Sequence, residues 1–257
     1  MSDTDTNLPP RLTRLTFHGP LSEARAGRLV DRLTRAGDPA TVIDVGCGWG
    51  ELMLRVLPAA PRATGLGIDL NAEDLARGRK LAAARGLGGR VEFAEESALG
   101  TRRGPADVVL CVGAGQALSD AEPPRQTAEA LKALRRMVAP DGRVLFGEGF
   151  WERTPEPAEL SAMWPGASAQ DHHDLAGLVD AAVEAGFRPE WIETASNDEW
   201  EEFESGYQAD AEEWLAAHPS HPAAEATRER LDRHRASWLR GYRGILGFAY
   251  LTLIPVG

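Results

Sequence analysis

The chain has 257 residues, 26% charged and 43% hydrophobic, which is enough for one sizeable core and excludes a disordered chain. Its 28 basic residues against 39 acidic ones leave a formal net charge of −11, which repels phosphate backbones and anionic lipid and argues against a nucleic-acid or membrane partner. Two cysteines, Cys47 and Cys111, give no disulfide framework and no four-ligand zinc site; with no signal pattern and no run of about 18 apolar residues, the expectation is a cytoplasmic protein.

In chain order, residues 1–15 read as a frayed tail punctuated by Pro9-Pro10. Leu21, Ala24, Leu29, Leu33 and Ala36 recur at helical spacing, with Ser22 placed to cap the helix. TVIDVG (41–46) is a short β-branched run, followed by a helix over Glu51–Pro58. ATGLGID (63–69) is a strand, and 71–86 a helix capped by Asn71 and closed by Gly86. RVEFAE (90–95) and ADVVLCVG (106–113) are further strands. A helix over 124–138 stops before Pro140-Asp141-Gly142, expected to be a turn. Strand 142–151, helix 171–186 opened by His172-His173, and strand 188–195 follow.

Segment 198–213 then carries eight acidic residues and no basic ones, and 228–243 carries six arginines and two acids. Both read as helices whose charged faces attract each other. GILGFAYLTLIPV (244–256) is a closing strand. Strands alternating with helices predict βαβ units: an α/β, mostly parallel seven-stranded sheet with helices on both faces and a helical insert before the last strand.

The sharpest signal is VIDVGCGWGEL at 42–52. Gly46, Gly48 and Gly50 turn the chain from strand to helix, where backbone free of side chains and open N–H groups can receive a ligand. Asp69 ends the second strand, at the sheet edge where a carboxylate can accept from both ribose hydroxyls. A dinucleotide site would place a third glycine where Glu51 stands, and that carboxylate would crowd a pyrophosphate. Asp44, two residues before the first glycine, suits a ligand with an ammonium group. S-adenosylmethionine carries an ammonium, a sulfonium and a ribose, and no phosphate.

With these features the chain resembles the class I S-adenosylmethionine-dependent methyltransferases. The resemblance rests on VIDVGCGWG, GIDLN, VEFAEESA, ADVVLCVGAG and LRRMVAPDGRVLFGE, five blocks in the family's order across 40–150. FHGPLS (17–22), FGEGFW (146–151) and DEWEEFE (198–204) look like a bacterial small-molecule branch. The implied architecture is Rossmann-like, a single methyltransferase domain over 1–257. It would divide into an N-terminal tail and helix (1–38), a cofactor-binding core (40–195), the insert (198–243) as a candidate lid, and the final strand (244–257).

The resemblance also implies roles. The loop Gly46, Cys47, Gly48 and Gly50 would pass under the methionine and ribose, with Asp44 orienting the amino group. Asp69 would hold the ribose hydroxyls, Leu70 would lie against adenine, and Glu96, Ser97 and Ala98 would meet the adenine edge. The family commonly has Asp where this chain has Ser97, which weakens that contact. Val112, with the turn after it, would line the methionine.

Methyl transfer is an in-line displacement that needs alignment and dryness, and a base only when the nucleophile must lose a proton. Chain position makes His18 and Glu148 the catalytic candidates. Trp151, Trp200, Glu204 and Tyr207 are the candidates for binding a small-molecule acceptor, the last three sharing one helical face. Adjacent histidines on a helix point apart, so no metal is assigned. Absence of an Asn/Asp-Pro-Pro-aromatic motif disfavours adenine or glutamine amino-methylation. Cyclisation or elimination on the same cofactor, or cofactor binding without catalysis, stay as alternatives. The oligomeric state is open.

Overall fold

The computed structural model describes residues 8–35 and 37–256. Its elements are α1 (Glu23–Arg35), β1 (Thr41–Val45), α2 (Glu51–Ala59), β2 (Thr64–Asp69), α3 (Ala72–Ala84), β3 (Val91–Glu95) and β4 (Ala106–Val112). A 3₁₀ turn (Gly115–Leu118), α4 (Arg125–Met137), β5 (Val138–Trp151), α5 (Pro157–Ala162), α6 (Leu175–Glu184) and β6 (Phe187–Thr194) follow. The chain ends with α7 (Asn197–Ala217), α8 (Ala224–Ala236), a π turn (Ser237–Tyr242) and β7 (Leu246–Pro255).

Among the described residues the sheet has seven strands in the order β3-β2-β1-β4-β5-β7-β6. The neighbours from β3 to β5 pair in parallel, and β7 runs antiparallel to both β5 and β6. β6 ends and β7 begins at the same, carboxyl edge of the sheet, so the insert α7–α8 leaves and re-enters at that edge.

Alternation along each strand divides the core. Val42, Leu110, Leu145 and Tyr250 face α1, α2 and α3 with Leu29, Leu54 and Leu75. Val109, Val144, Phe146 and Leu251 face α4 and α6 with Leu131, Leu134 and Leu178. Leu29 and Leu131 are both fully buried, so truncating either to alanine costs about 2–5 kcal/mol.

Local chemistry fixes the ends. Ser22 Oγ accepts from Arg25 N at 3.2 Å at the start of α1, and Asn71 Oδ1 accepts from the amides of Glu73 and Asp74 at 3.1 Å. Gly86 follows α3 with φ +69°, which an L side chain resists.

Three expectations are corrected. Residues 8–15 are no frayed tail: Leu12 and Leu15 are buried against Trp49. Arg77 donates to the carbonyls of Leu12 (2.9 Å) and Leu15 (2.8 Å), Arg11 pairs with Asp74 (2.5 Å), and Thr13 donates twice to Asp210 at 2.5 Å. Residues 1–7 of the expected tail lie outside the described residues. Pro140-Asp141-Gly142 makes no turn between elements. Pairing jumps from Ala106↔Val138 to Val108↔Arg143, so the three residues bulge inside β5, where Pro140 has no N–H for the ladder. His172 and His173 do not open α6. Asp174 caps it by accepting from Gly177 N at 2.7 Å, and His173 O accepts from Trp151 N at 2.8 Å in extended backbone.

Helix α5 had no counterpart in the pattern reading. It carries a capping box in which Glu156 N donates to Glu159 Oε2 at 2.8 Å. The charged faces of the insert do meet, through Arg235–Glu212 and through Arg243–Glu201 at 2.5 Å. The acidic face of α7 also holds Arg14 through Glu213 (2.6 Å) and Arg25 through Glu199 (2.8 Å). Among the described residues no helix is long and apolar enough to cross a membrane.

Candidate active site

Two cavities flank the glycine loop at the carboxyl edge of the sheet. One is lined by Asp69, Leu70, Glu96, Ser97, Ala98, Leu99 and the turn from Gly113 to Ala117. The other is lined by Phe17, His18, Asp44, Cys47, Gly48, Val112, Phe203 and Tyr250. Both include His18, Gly46 and Gly113, so they join there into one cleft.

The loop shape needs glycine at two points. Gly46 has φ +61°, and a Cβ on it would lie 2.3 Å from Ala114 Cβ. Gly48 has φ +53°, and its only close neighbour would be His18 Nδ1 at 3.7 Å, so backbone is bare toward the cleft. Gly50 lines neither cavity; a Cβ there would meet the Phe93 ring at 2.7 Å, which makes it a packing position.

Asp69 ties the loop to β2. Its Oδ2 accepts from Gly48 N and its Oδ1 from Asn71 N, each at 2.8 Å, leaving lone pairs for further donors. Asp44 is 6% exposed and accepts no hydrogen bond among the described residues. Burial, then the nearby Asp69 charge, push its pKa up to about 8. A buried carboxylate with no donor, facing a cavity, is suited to an incoming ammonium group. Glu51 is held by Arg55 (2.8 Å) and Arg85 (2.7 Å), so the start of α2 is already occupied by a carboxylate and offers a phosphate no place.

Glu96 lines the first cavity and pairs with Arg103 at 2.9 Å, while Ser97 Oγ accepts from Leu99 N at 3.2 Å. Leu70 and Leu99 stand 70% and 51% exposed at this rim, an apolar surface free to cover a flat ring. Cys47 is half-buried, with its thiol pushed up by burial and so not a nucleophile.

His18 stacks on Trp49 (centroids 5.2 Å apart, 12° between planes), and Trp49 Nε1 donates to Thr16 O at 2.8 Å. Burial lowers the pKa of His18, which favours the neutral imidazole. Glu148 lines neither cavity. It lies beneath the 3₁₀ turn, where a Cβ on Gly115 would be 2.5 Å from its Oε2, and accepts from Gly149 N at 3.0 Å. Burial raises its pKa to about 7.

The four expected acceptor residues are not brought together on this cleft. Trp151 is buried among Met163, Tyr242 and Ile245 and donates to Ala169 O at 3.0 Å, so it is a packing residue and not part of a rim. Glu204 is 2% exposed and accepts from Tyr242 OH (2.6 Å) and pairs with His234 Nε2 (2.7 Å), which turns it inward. Tyr207 stacks on His234 at 4.9 Å. Trp200 borders a different cavity, and Phe203 on the same helix face reaches the cleft instead. Phe17 and Tyr250 were not singled out as lining residues. Phe17 sits in the quoted FHGPLS block, and Tyr250 lies in an apolar strand that gives no hint of a cavity.

Residues 43–144 match the family model described as a methyltransferase domain. The uncharacterized protein YjhP of Escherichia coli (strain K12) is 27% identical over 239 residues, 93% of each chain. Its X-ray structure superposes with a TM-score of 0.80 and 26% identity, over 96% of this chain and 100% of that one. A SAM-dependent methyltransferase from Thiobacillus denitrificans, crystallised with S-adenosyl-L-homocysteine, gives a TM-score of 0.79 at 25% identity over 96% and 98% of the two chains. Residues 43–144 thus resemble a methyltransferase domain, and the chain shares the fold of these S-adenosylmethionine-dependent methyltransferases. Within that fold the [4+2]-cyclase SpnF is also similar, at a TM-score of 0.65 and 24% identity over 91% of this chain and 82% of that one.

Proposed function

We propose that the chain binds S-adenosylmethionine across the joined cleft and transfers its methyl group to a small-molecule acceptor. The observation that carries this reading is the pair of carboxylates: Asp44, buried and without a donor, on one side, and Asp69, fixed to the loop, on the other. Their chemistry and the bare backbone at Gly48 fit an ammonium, a ribose and the thioether between them. When bound, the cofactor supplies an activated methyl on a sulfonium.

The chain's own residues do the rest. Asp44 holds the ammonium, and Asp69 accepts from the ribose hydroxyls. Leu70, Glu96, Ser97 and Ala98 border adenine, with Ser97 Oγ as a modest acceptor. Gly46, Cys47, Gly48 and Val112 border the methionine part. Phe17, Phe203 and Tyr250 exclude water from that side. His18 takes a proton from the acceptor on a ring nitrogen, since it is neutral and borders both cavities. Glu148 is the weaker candidate because the turn at Gly115 separates it from the cleft. The insert serves as a lid through Phe203, and the cytoplasm is the setting in which this chemistry operates.

Titration calorimetry with S-adenosylmethionine and S-adenosylhomocysteine tests the binding step, with micromolar affinity expected. No heat at hundreds of micromolar sinks the reading. The cyclase neighbour keeps a second reading, non-methyl chemistry on this scaffold. Mass analysis of cofactor and acceptor separates them: S-adenosylhomocysteine marks transfer, methylthioadenosine marks attack on the aminopropyl chain, and unchanged cofactor with an isomerised substrate marks a cyclisation that consumes none.

A further inference from the structure

A third cavity opens beside the last strands, at the same sheet edge as the cleft. Leu246 begins the antiparallel β7 and Ala195 follows β6, so both lie at this edge. The Trp200–Phe203 contact, with centroids 6.3 Å apart, stands between the two sites: Phe203 borders the cleft and Trp200 the cavity.

Three aromatic side chains line it, Trp200, Trp238 and Tyr242. Tyr242 OH is engaged by Glu204 at 2.6 Å, so what Tyr242 offers a ligand is its ring rather than a hydroxyl. Trp238 and Tyr242 come from the π turn, in which Arg243 N donates to Trp238 O at 2.9 Å. Such wide turns are uncommon, less stable than α-helix, and concentrated at functional sites.

The charged lining is Glu152, Glu201 and Arg243. Arg243 Nη2 donates to Glu201 Oε1 at 2.5 Å, and those two neutralise each other. Glu152 is left with no ion pair or side-chain hydrogen bond among the described residues, at the mouth of an aromatic cavity. Gly247 makes room for it: a Cβ there would lie 2.7 Å from Glu152 Oε1 and 2.4 Å from the Phe150 ring.

We infer that this cavity binds an organic ammonium ion, with the rings of Trp200, Trp238 and Tyr242 as its walls and Glu152 as its counter-charge. A quaternary or tertiary ammonium is weakly hydrated and gains from ring faces and one carboxylate together. A metal ion needs several converging oxygens, which the single unpaired carboxylate does not supply. A neutral apolar guest gains nothing from Glu152. The site is separate from the cofactor cleft, and the inference stands whether or not methyl transfer is the reaction.

The test uses the full chain without cofactor. Choline and its neutral isostere 3,3-dimethyl-1-butanol are titrated by calorimetry. Choline is expected to bind about ten-fold tighter than the alcohol. Glu152→Gln, at an exposed position that leaves the fold intact, should weaken choline by about three- to five-fold and leave the alcohol unchanged. Trp238→Ala should weaken both. If that variant does not fold, Glu152→Gln still decides. Equal affinity of choline and the alcohol overturns the inference, as does no binding of choline at tens of millimolar, or choline binding indifferent to Glu152→Gln. Displacement of choline by S-adenosylmethionine would overturn the separateness of the site.

Discussion

The two halves of the cleft are assembled in opposite ways. The half around Asp69 is made of three turns that directly follow β2, β3 and β4, and it is open, with Leu70 and Leu99 at a solvent-facing rim. The half around Asp44 is roofed by Phe17 and His18 from the N-terminal segment, Phe203 from α7 and Tyr250 from β7. One half is set by local backbone geometry, and the other exists only when parts of the chain more than 180 residues apart by numbering have packed together. Affinity for the nucleoside part should therefore survive changes that abolish dryness and turnover at the other end.

His18→Gln removes the proton acceptor where the two halves join. Turnover should fall by about 10²–10⁴-fold, while cofactor affinity stays within about three-fold of the wild type. Equal loss in both would erase the distinction between the halves. Asp69→Ala attacks the open half. It removes an acceptor for ribose and the anchor of Gly48 N and Asn71 N, so calorimetric affinity should fall about 30- to 100-fold.

Asp44→Asn should weaken cofactor binding about ten-fold, and it has a pH signature. The raised pKa of about 8, against an ordinary 3.8, means that the folded apo protein holds a proton there that the unfolded chain has lost. The associated stabilisation is fully present below the unfolded value and lost as pH rises through the folded one. Asp44→Asn should thus have a higher Tm than wild type above pH 8 without ligand. Cofactor binding at pH 7 should release up to about one proton, seen as a buffer-dependent enthalpy, because the ammonium favours the ionised carboxylate. The smallest effect belongs outside the cleft: Glu204→Gln weakens the bonds to Tyr242 and His234 and should lower stability by about 1–2 kcal/mol with cofactor affinity unchanged.

The same contrast explains what the sequence could say. The order of strands and helices was legible because apolar alternation and caps such as Asn71 are short-range. The antiparallel insertion of β7 between β5 and β6 was not, since pairing across 50 residues leaves no local mark. The glycines and acids of the loop could be read because φ above zero demands glycine at Gly46 and Gly48. The roof was harder. Its acidic-aromatic helix showed a stripe of Trp200, Phe203/Glu204 and Tyr207, but the stripe's position on the sheet decides which member meets the cleft, and Phe203 is the one. Glu204, expected to meet the acceptor, is instead buried beneath Tyr242 and His234.

The first part of the chain hangs on a few named fasteners: Arg77 to two carbonyls, Arg11 to Asp74, Thr13 to Asp210. None of them belongs to the seven-stranded sheet. Cutting the chain away before Leu21 would therefore leave all seven strands in place but strip His18 and its cover, uncover Trp49, and leave the buried acids Asp74 and Asp210 without Arg11 and Thr13. Clones trimmed to the neat alternating part of such a protein would keep the sheet and assay as dead.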